Sequence, residues 1–315
     1  MGSFAAVVLA HADPRQVRRL IHALDEVPLV LQCDARTAPE TFESMTAQLP
    51  RRVYVNERVA SAAASWSLVE AELAGLRAAV RMSQAEHIAV VSGADYPLVT
   101  SQRIAETLDA WQDRSWFWNQ PMPYEAWSIP RHPDGGMWRV RFRYLTRHGH
   151  VRYVRGIPLR WPIPRSLPAG LELRAGSQWK IYCRRDVETI LKVVDTCPDL
   201  VRFWRTTLVP DESFAASVLA SQAFSGSEPL QPMTTHPWLI RWDPVAPDHP
   251  QWLTANDLPA LRDAAHAPAL DPAAALAEPA DGAYQRLFAR KFATVRSSDL
   301  LDALDLLRVT SPSRD

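Results

Sequence analysis

Cysteine is scarce in this 315-residue chain. Cys33, Cys183 and Cys197 are odd in number, widely spaced and include no C-x-x-C pair, which argues against a disulfide framework and a metal site of that type and suits a reducing compartment. Charge of one sign is missing as well. With 35 basic and 35 acidic side chains the formal net charge is +0, so no whole-molecule field favours nucleic acid or an anionic membrane, and any electrostatic function is local. Long apolar runs are absent too, nothing approaching the roughly 18 residues of a membrane span. The short apolar run at residues 4–10 has no basic lead-in and passes at once into His11, Asp13 and Pro14. It reads as a buried first strand rather than a signal peptide, and the expected location is cytoplasmic. What is present is an apolar fraction of 47%, enough for a sizeable globular core.

Apolar β-type runs alternate with helical periodicity, the pattern of an α/β, Rossmann-type, mainly parallel sheet flanked by helices. Strands are expected at residues 4–10, 29–33, 52–55, 87–91 and 178–183. Asp13 and Pro14 supply an N-cap and first-turn proline for a helix carrying Val17, Leu20, Ile21 and Leu24, and a long helix is expected over residues 65–82. Ligands of open α/β sheets gather at the carboxyl ends of strands, which puts Asp34 and the loop at residues 92–98 where a nucleotide would bind. A turn or cap role is the other reading of Asp34. In residues 139–144 arginines alternate with Val140, Phe142 and Tyr144 at a period of two, predicting a small antiparallel addition. Asp211 reads as the cap of a helix running through Phe214 and Val218. Residues 264–282 collapse to Ala, Pro and Asp, read as a flexible surface connection, and residues 284–307 resume helical spacing.

Several collinear blocks carry a resemblance: Ala10-His11-x-Asp13-Pro14, Asp34, Ser65-Trp66-Ser67-Leu68-Val69, residues 91–98, Gly176-Ser177-Gln178-Trp179, Val209-Pro210-Asp211-Glu212-Ser213-Phe214 and Phe288-Ala289-Arg290-Lys291-Phe292. Over nearly the whole chain they resemble the core-2/I-branching β-1,6-N-acetylglucosaminyltransferase and xylosyltransferase family, glycosyltransferase family 14. The resemblance implies a GT-A-like fold and an inverting, metal-independent transfer of a GlcNAc- or xylose-like sugar from a UDP-sugar to an acceptor hydroxyl, forming a β-glycoside. It implies no cofactor beyond that co-substrate. The chain agrees in having no Asp-x-Asp pair of the kind that holds a metal in such folds. The organisation expected is a catalytic domain over 1–263, with a nucleotide-binding half at 1–115 and an acceptor and catalytic half at 116–263. The 264–282 connection then leads to a helical segment at 283–315 that completes the donor phosphate site.

Carried over by this resemblance, Glu212 is the general base, a role worth roughly 10²- to 10⁴-fold in rate. Without the resemblance, Asp211 and Glu212 read rather as acids decorating a helix N-terminus. Lys291 matches a lysine on the departing diphosphate, with Arg290 beside it. Trp238 stands where the family's second phosphate-binding arginine is expected, so either Arg241 or Arg290 substitutes or the phosphate is held differently. Without the resemblance, Arg290 and Lys291 read as a solvated face. Val8, His11, Asp34, Ser65, Trp66 and Asp95 match segments near the nucleotide and donor sugar, and a structural histidine is the other reading of His11. The run Arg139, Arg141, Arg143, Arg147, Arg152, Arg155, Arg160 and Arg165 holds no acid. It reads either as a charged edge strand or as an acceptor surface that takes a phosphate or carboxylate, with Trp127, Trp138, Arg143, Tyr144, Trp161 and Trp179 as acceptor candidates. His148 and His150 lack a third metal ligand nearby. The Ala-, Arg- and Pro-heavy composition suggests a bacterial source, and the partners expected are a nucleotide-sugar and a small-molecule or glycan acceptor, with no nucleic acid. A catalytically silent nucleotide-sugar or glycan-binding protein of the same fold is the alternative, and a hydrolase cutting the donor is a third.

Overall fold

Phe4–Ala10 (β1) is apolar at every position, and a strand with no polar face must be covered on both sides. The computed structural model, which describes residues 4–243, 249–276 and 283–310, sets β1 in the middle of a five-stranded sheet. Leu29–Cys33 (β2), Val53–Val55 (β3), His87–Ser92 (β4) and Lys180–Cys183 (β12 in chain order) complete it, in the order β12, β4, β1, β2, β3. All neighbours are parallel except β12, which runs antiparallel to β4. Successive side chains of a strand point to opposite faces, and β1 divides accordingly. Ala6, Val8 and Ala10 join one apolar core and Ala5 and Val7 the other.

The first core is covered by Pro14–Ala23 (α1), and the second by Trp66–Met82 (α3 in chain order, after α2 at Pro39–Thr46). Gly75 is where α3 meets β1. A Cβ there would collide with the Val7 side chain, so only glycine permits this approach. Asp13 caps α1 through the Gln16 amide, as its sequence position predicts, and also accepts the Thr294 amide and hydroxyl at 2.8 and 2.6 Å.

A second, three-stranded sheet is made of Asp95–Pro97 (β5), Trp238–Ile240 (β13) and Phe288–Arg290 (β14), with β14 central and Arg290 opposite Asp95. The intervening strands are minor. Asn119–Pro121 (β6) pairs with Arg174–Gly176 (β11), while Thr146–Arg147 (β7) with His150–Val151 (β8) and Tyr153–Val154 (β9) with Ile157–Pro158 (β10) are two-residue hairpin pairs.

Three expectations need correction. The small antiparallel addition exists, but residues 138–141 form a helical turn rather than a strand. Val140 is buried inside that turn, whereas Tyr144, beyond the extended Phe142, is buried in an antiparallel bridge to Arg160. The C-terminal segment is not helical throughout. Leu287, Phe288 and Ala289 are all buried, which a strand between two neighbours permits, and a helix follows only at Ser298–Thr310. The Ala/Pro-rich stretch is no loose connection over its described part. Residues 264–266 end a helix, and Ala265, Leu270 and Ala275 are buried in the first core. Residues 277–282, and residues 311–315 of the segment after them, lie outside the described residues.

Candidate active site

The loop at residues 176–179 joins the two ends of the site. At Gly176 a Cβ would stand 2.9 Å from the Glu212 carbonyl oxygen and 3.3 Å from Ala216 Cβ, so any side chain would push Glu212 away. One residue past the loop, Lys180 is buried and donates to both oxygens of Glu72 at 3.1 and 3.2 Å, to Gln178 O and to Asp211 O. Tyr182 adds a 2.8 Å hydrogen bond to Glu72. A buried charge pair of this kind fixes geometry through hydrogen bonds on every side, and here it ties α3, the loop and the 210–212 turn together.

That turn is a single 3-10 turn entered through Val209, whose φ of 51° is rare for a β-branched residue. Glu212 leaves it toward Arg139, with Oε2 2.6 Å from Arg139 Nη1, and its side chain is one-third exposed. The Arg139 guanidinium lies over the Trp127 ring at 4.0 Å and 5.8 Å from the Trp138 ring centre. Oε1 of Glu212 takes no hydrogen bond among the described residues. Asp211 does not cap the following helix, Phe214–Ala220, whose N-cap is Ser213. It is buried, one carboxyl oxygen has no partner, and burial together with the neighbouring charge of Glu212 pushes its pKa up to about 7.

The other end of the loop carries Trp179, with the Arg290 guanidinium 3.9 Å above its ring. Arg290 Nη1 donates to Asp95 Oδ1 at 2.7 Å and to Ser92 Oγ. Asp95 is wholly buried and also accepts from the Ser92 amide and hydroxyl and from Trp238 Nε1. It therefore touches the site only through Arg290. Lys291, next along, lies 4.4 Å from the Trp252 ring centre, and burial plus the charges of Arg290 and Arg296 hold its pKa below the ordinary lysine value. The Phe292 amide donates to Ala94 O, so with the Thr294 contacts to Asp13 this cationic segment is seated at the carboxyl ends of β1 and β4.

The other expected residues divide. Val8 and Trp66 are interior, Trp66 edge-on to Phe214 at 4.9 Å. Ser65 is buried and accepts the Val151 amide. Tyr144 is buried with its hydroxyl on Trp138 O, and burial pushes its pKa up to about 12. These four have no surface for a ligand because they lie on covered faces. Trp238, where the resemblance expects an arginine, stacks on Phe288 at 4.9 Å. Arg241 is half exposed and pairs with Asp257 at 3.2 Å. His11 is exposed, its carbonyl accepting from Thr37. Asp34 forms the turn contact to the Arg36 amide at 2.7 Å and binds Ser61 and the Arg36 side chain. Burial alone would raise its pKa, but these donors hold it below the usual carboxylate value. Arg143 and Trp161 are exposed. His150 turns to Ala60 O, and no group of three or more His, Cys, Asp or Glu that could hold a metal ion occurs among the described residues.

His236 is a site residue that no sequence signal marks. Its Nδ1 accepts the Trp238 amide at 2.9 Å, and Nε2 lies 2.8 Å from Ser177 Oγ. Burial and the charge of Arg286 push its pKa down to about 3, so the ring is neutral, with its proton on Nε2 donated to Ser177. That contact locks the centre of the loop between Glu212 and Arg290.

A profile of the Core-2/I-branching enzyme family matches residues 31–261, well over half of the chain. The chain belongs to the Core-2/I-branching enzyme family. It is thus a glycosyltransferase, working with a nucleotide-sugar donor and an acceptor. The match covers Glu212, the 176–179 loop and Asp34, while Arg290 and Lys291 lie beyond it. No curated protein matches the chain. No helix among the described residues of this Core-2/I-branching enzyme is long and apolar enough to cross a membrane.

Proposed function

We propose that the chain is an inverting, metal-independent transferase that moves a GlcNAc- or xylose-like sugar from a UDP-sugar to an acceptor hydroxyl, with Glu212 as general base. The observation that carries this reading is the 176–179 loop, which packs on Glu212 at Gly176 and under Arg290 at Trp179. The acceptor oxygen attacks the anomeric carbon on the face away from the diphosphate. The new C–O bond forms as the bond to the diphosphate oxygen breaks, and the hydroxyl proton passes to Glu212 Oε1. Arg139 holds the other oxygen and thereby the orientation of the carboxylate. Charge gathering on the departing diphosphate is met by Lys291 and Arg290, as preorganised cations can do without rearranging. Arg290 and Arg241 are each engaged by a carboxylate, Asp95 and Asp257, and Arg290 is preferred for the second cationic role because it adjoins Lys291 and stacks on Trp179 of the loop. Asp34 and His11, at the carboxyl ends of the parallel strands, are the nucleotide-side candidates. Three free thiols, two of them buried, suit a cytoplasmic setting.

The test is a panel of nucleotide-sugars assayed with EDTA present, comparing wild type with Glu212→Gln. The variant is expected to keep nucleotide affinity and lose at least about 100-fold in transfer. Equal turnover would reject the base, and activity that vanishes with EDTA would reject the metal-free mechanism. Donor hydrolysed to free sugar despite abundant acceptor would mark a hydrolase, and binding without turnover a silent protein.

A further inference from the structure

A cleft of about 640 Å³ is lined among others by Arg131, His132, Asp134, Arg141, Arg160 and Arg165. Its walls carry four guanidinium groups against one carboxylate. No ion pair among the described residues involves any of the four. Arg165 is anchored from behind. Its Nε and Nη1 donate to Val140 O, Phe203 O and Thr206 Oγ1, and the group stacks on Phe203 at 3.7 Å. Its Nη2 is buried without a partner, as is Nη1 of Arg160, which stacks on Phe142 at 3.6 Å. Buried donors left open in this way are rare in folded chains. Each is stacked in place, so its orientation is set before a ligand arrives.

The same cleft holds an open acceptor. Asp134 Oδ1 is buried and unpartnered, and a carboxylate in that state suits a ligand hydroxyl. Burial and the charges of Arg160 and Arg131 hold the pKa of His132 below the ordinary histidine value, while burial and Arg143 push Arg165 down to about 10. Burial is the larger cause of both shifts, with neighbouring guanidinium charge second, and on His132 Asp134 opposes it in part. The cleft is joined to the reaction centre through Trp138. His132 stacks on that ring at 4.9 Å, and Arg139, which grips Glu212, lies 5.8 Å from its centre.

We propose that this cleft binds a phosphate group of the acceptor, with Arg131, Arg141, Arg160 and Arg165 on the phosphate oxygens and Asp134 on a neighbouring hydroxyl. Arginine forks match phosphate oxygens in pairs, and the volume suits a small phosphate ester. That the ligand is the acceptor rests on the transferase reading. Binding itself does not, and it can be measured separately.

Calorimetry on the intact chain with glucose 6-phosphate, glucose and UDP tests the proposal, comparing wild type with Arg131→Gln/Arg141→Gln. Neither arginine makes a hydrogen bond or ion pair through its side chain among the described residues, so the fold is expected to persist, with unchanged UDP affinity as the check. Glucose 6-phosphate is expected to bind wild type, glucose not, and the double variant to lose at least about tenfold in affinity. Flotation with phosphatidic acid vesicles, against phosphatidylcholine vesicles, separates a lipid headgroup from a free ester. Capture that disappears in the double variant, without glucose 6-phosphate binding, assigns the same phosphate chemistry to a lipid. No binding in either arm, or binding the double variant leaves unchanged, overturns the proposal. Glu212→Gln is expected to leave phosphate binding intact, so failure of the transfer mechanism would be seen apart from failure of this site.

Discussion

Arg139 Nη1 stands 2.6 Å from Glu212 Oε2 while the same guanidinium lies flat over Trp127. One arginine thus fixes the direction of the carboxylate and is itself fixed by a ring. In the proposed mechanism it acts through Glu212, as a positioning residue.

Arg139→Gln is expected to lower kcat by about tenfold to a hundredfold, the scale of a misdirected catalytic group, with little change in donor KM. Arg139→Lys should recover part of the loss. Steady-state kinetics at saturating donor check this, and a rise in acceptor KM at constant kcat would show that Arg139 binds acceptor instead.

Lys291 and Arg290 are adjacent but should fail differently. Lys291→Met is expected to leave folding intact and reduce kcat by about 100-fold, comparable to deleting one preorganised charge at a leaving group. Arg290→Met also strands Asp95, which is 0% exposed in its side chain. It should therefore destabilise the fold by about 3–5 kcal/mol. Urea melts beside turnover separate the two effects.

The buried pair of Lys180 and Glu72 predicts a thermodynamic cycle. Lys180→Met alone leaves Glu72 without its cation and should cost about 3–5 kcal/mol of stability. Lys180→Met with Glu72→Leu should recover most of that loss in chemical denaturation. Transfer activity should stay low in the double variant, because the loop at residues 176–179 loses its tie to the 210–212 turn.

Asp211 predicts a slope of stability with pH. Its pKa is raised from 3.8 to about 7 in the folded chain, by burial first and by Glu212 second. Between those values the native state holds a proton that the unfolded state has released. The contribution of this group to stability is therefore fully present below about pH 4 and is lost as pH rises toward 7. Asp211→Asn should flatten that slope and gain at least about 1 kcal/mol at pH 7, equivalent to roughly one pKa unit. Thermal melts from pH 4 to 8 read it directly, and an unchanged slope would contradict the assignment.

Periodicity carried the parallel sheet, because strands buried on both faces and amphipathic helices write different spacings into the chain. It failed where the chain changes form within one run. The Met137 and Gly136 carbonyls accept from Arg141 and Arg139 and coil the chain around Val140, while Tyr144 lies in an antiparallel bridge to Arg160. The blocks around Glu212 and Lys291 were legible as local sequence. What joins them was not, since the Lys180 to Glu72 contact spans 108 positions and the His236 to Ser177 contact 59. Motif matching also overreached at Val8, Trp66 and Tyr144. A residue that recurs beside a site can serve it by packing, and burial distinguishes the two roles only once the fold is known. The arginine cleft was visible as a charge run, but nothing in the run shows which guanidinium groups turn toward one another.

The clasp between Asp13 and Thr294 has a consequence for synthesis. A chain emerging from the ribosome presents the 210–212 turn long before the stretch at 290–294 that closes on the first helix. Until those residues arrive, Asp13 serves the first helix alone, through the Gln16 amide, and the link between that helix and the C-terminal segment cannot form.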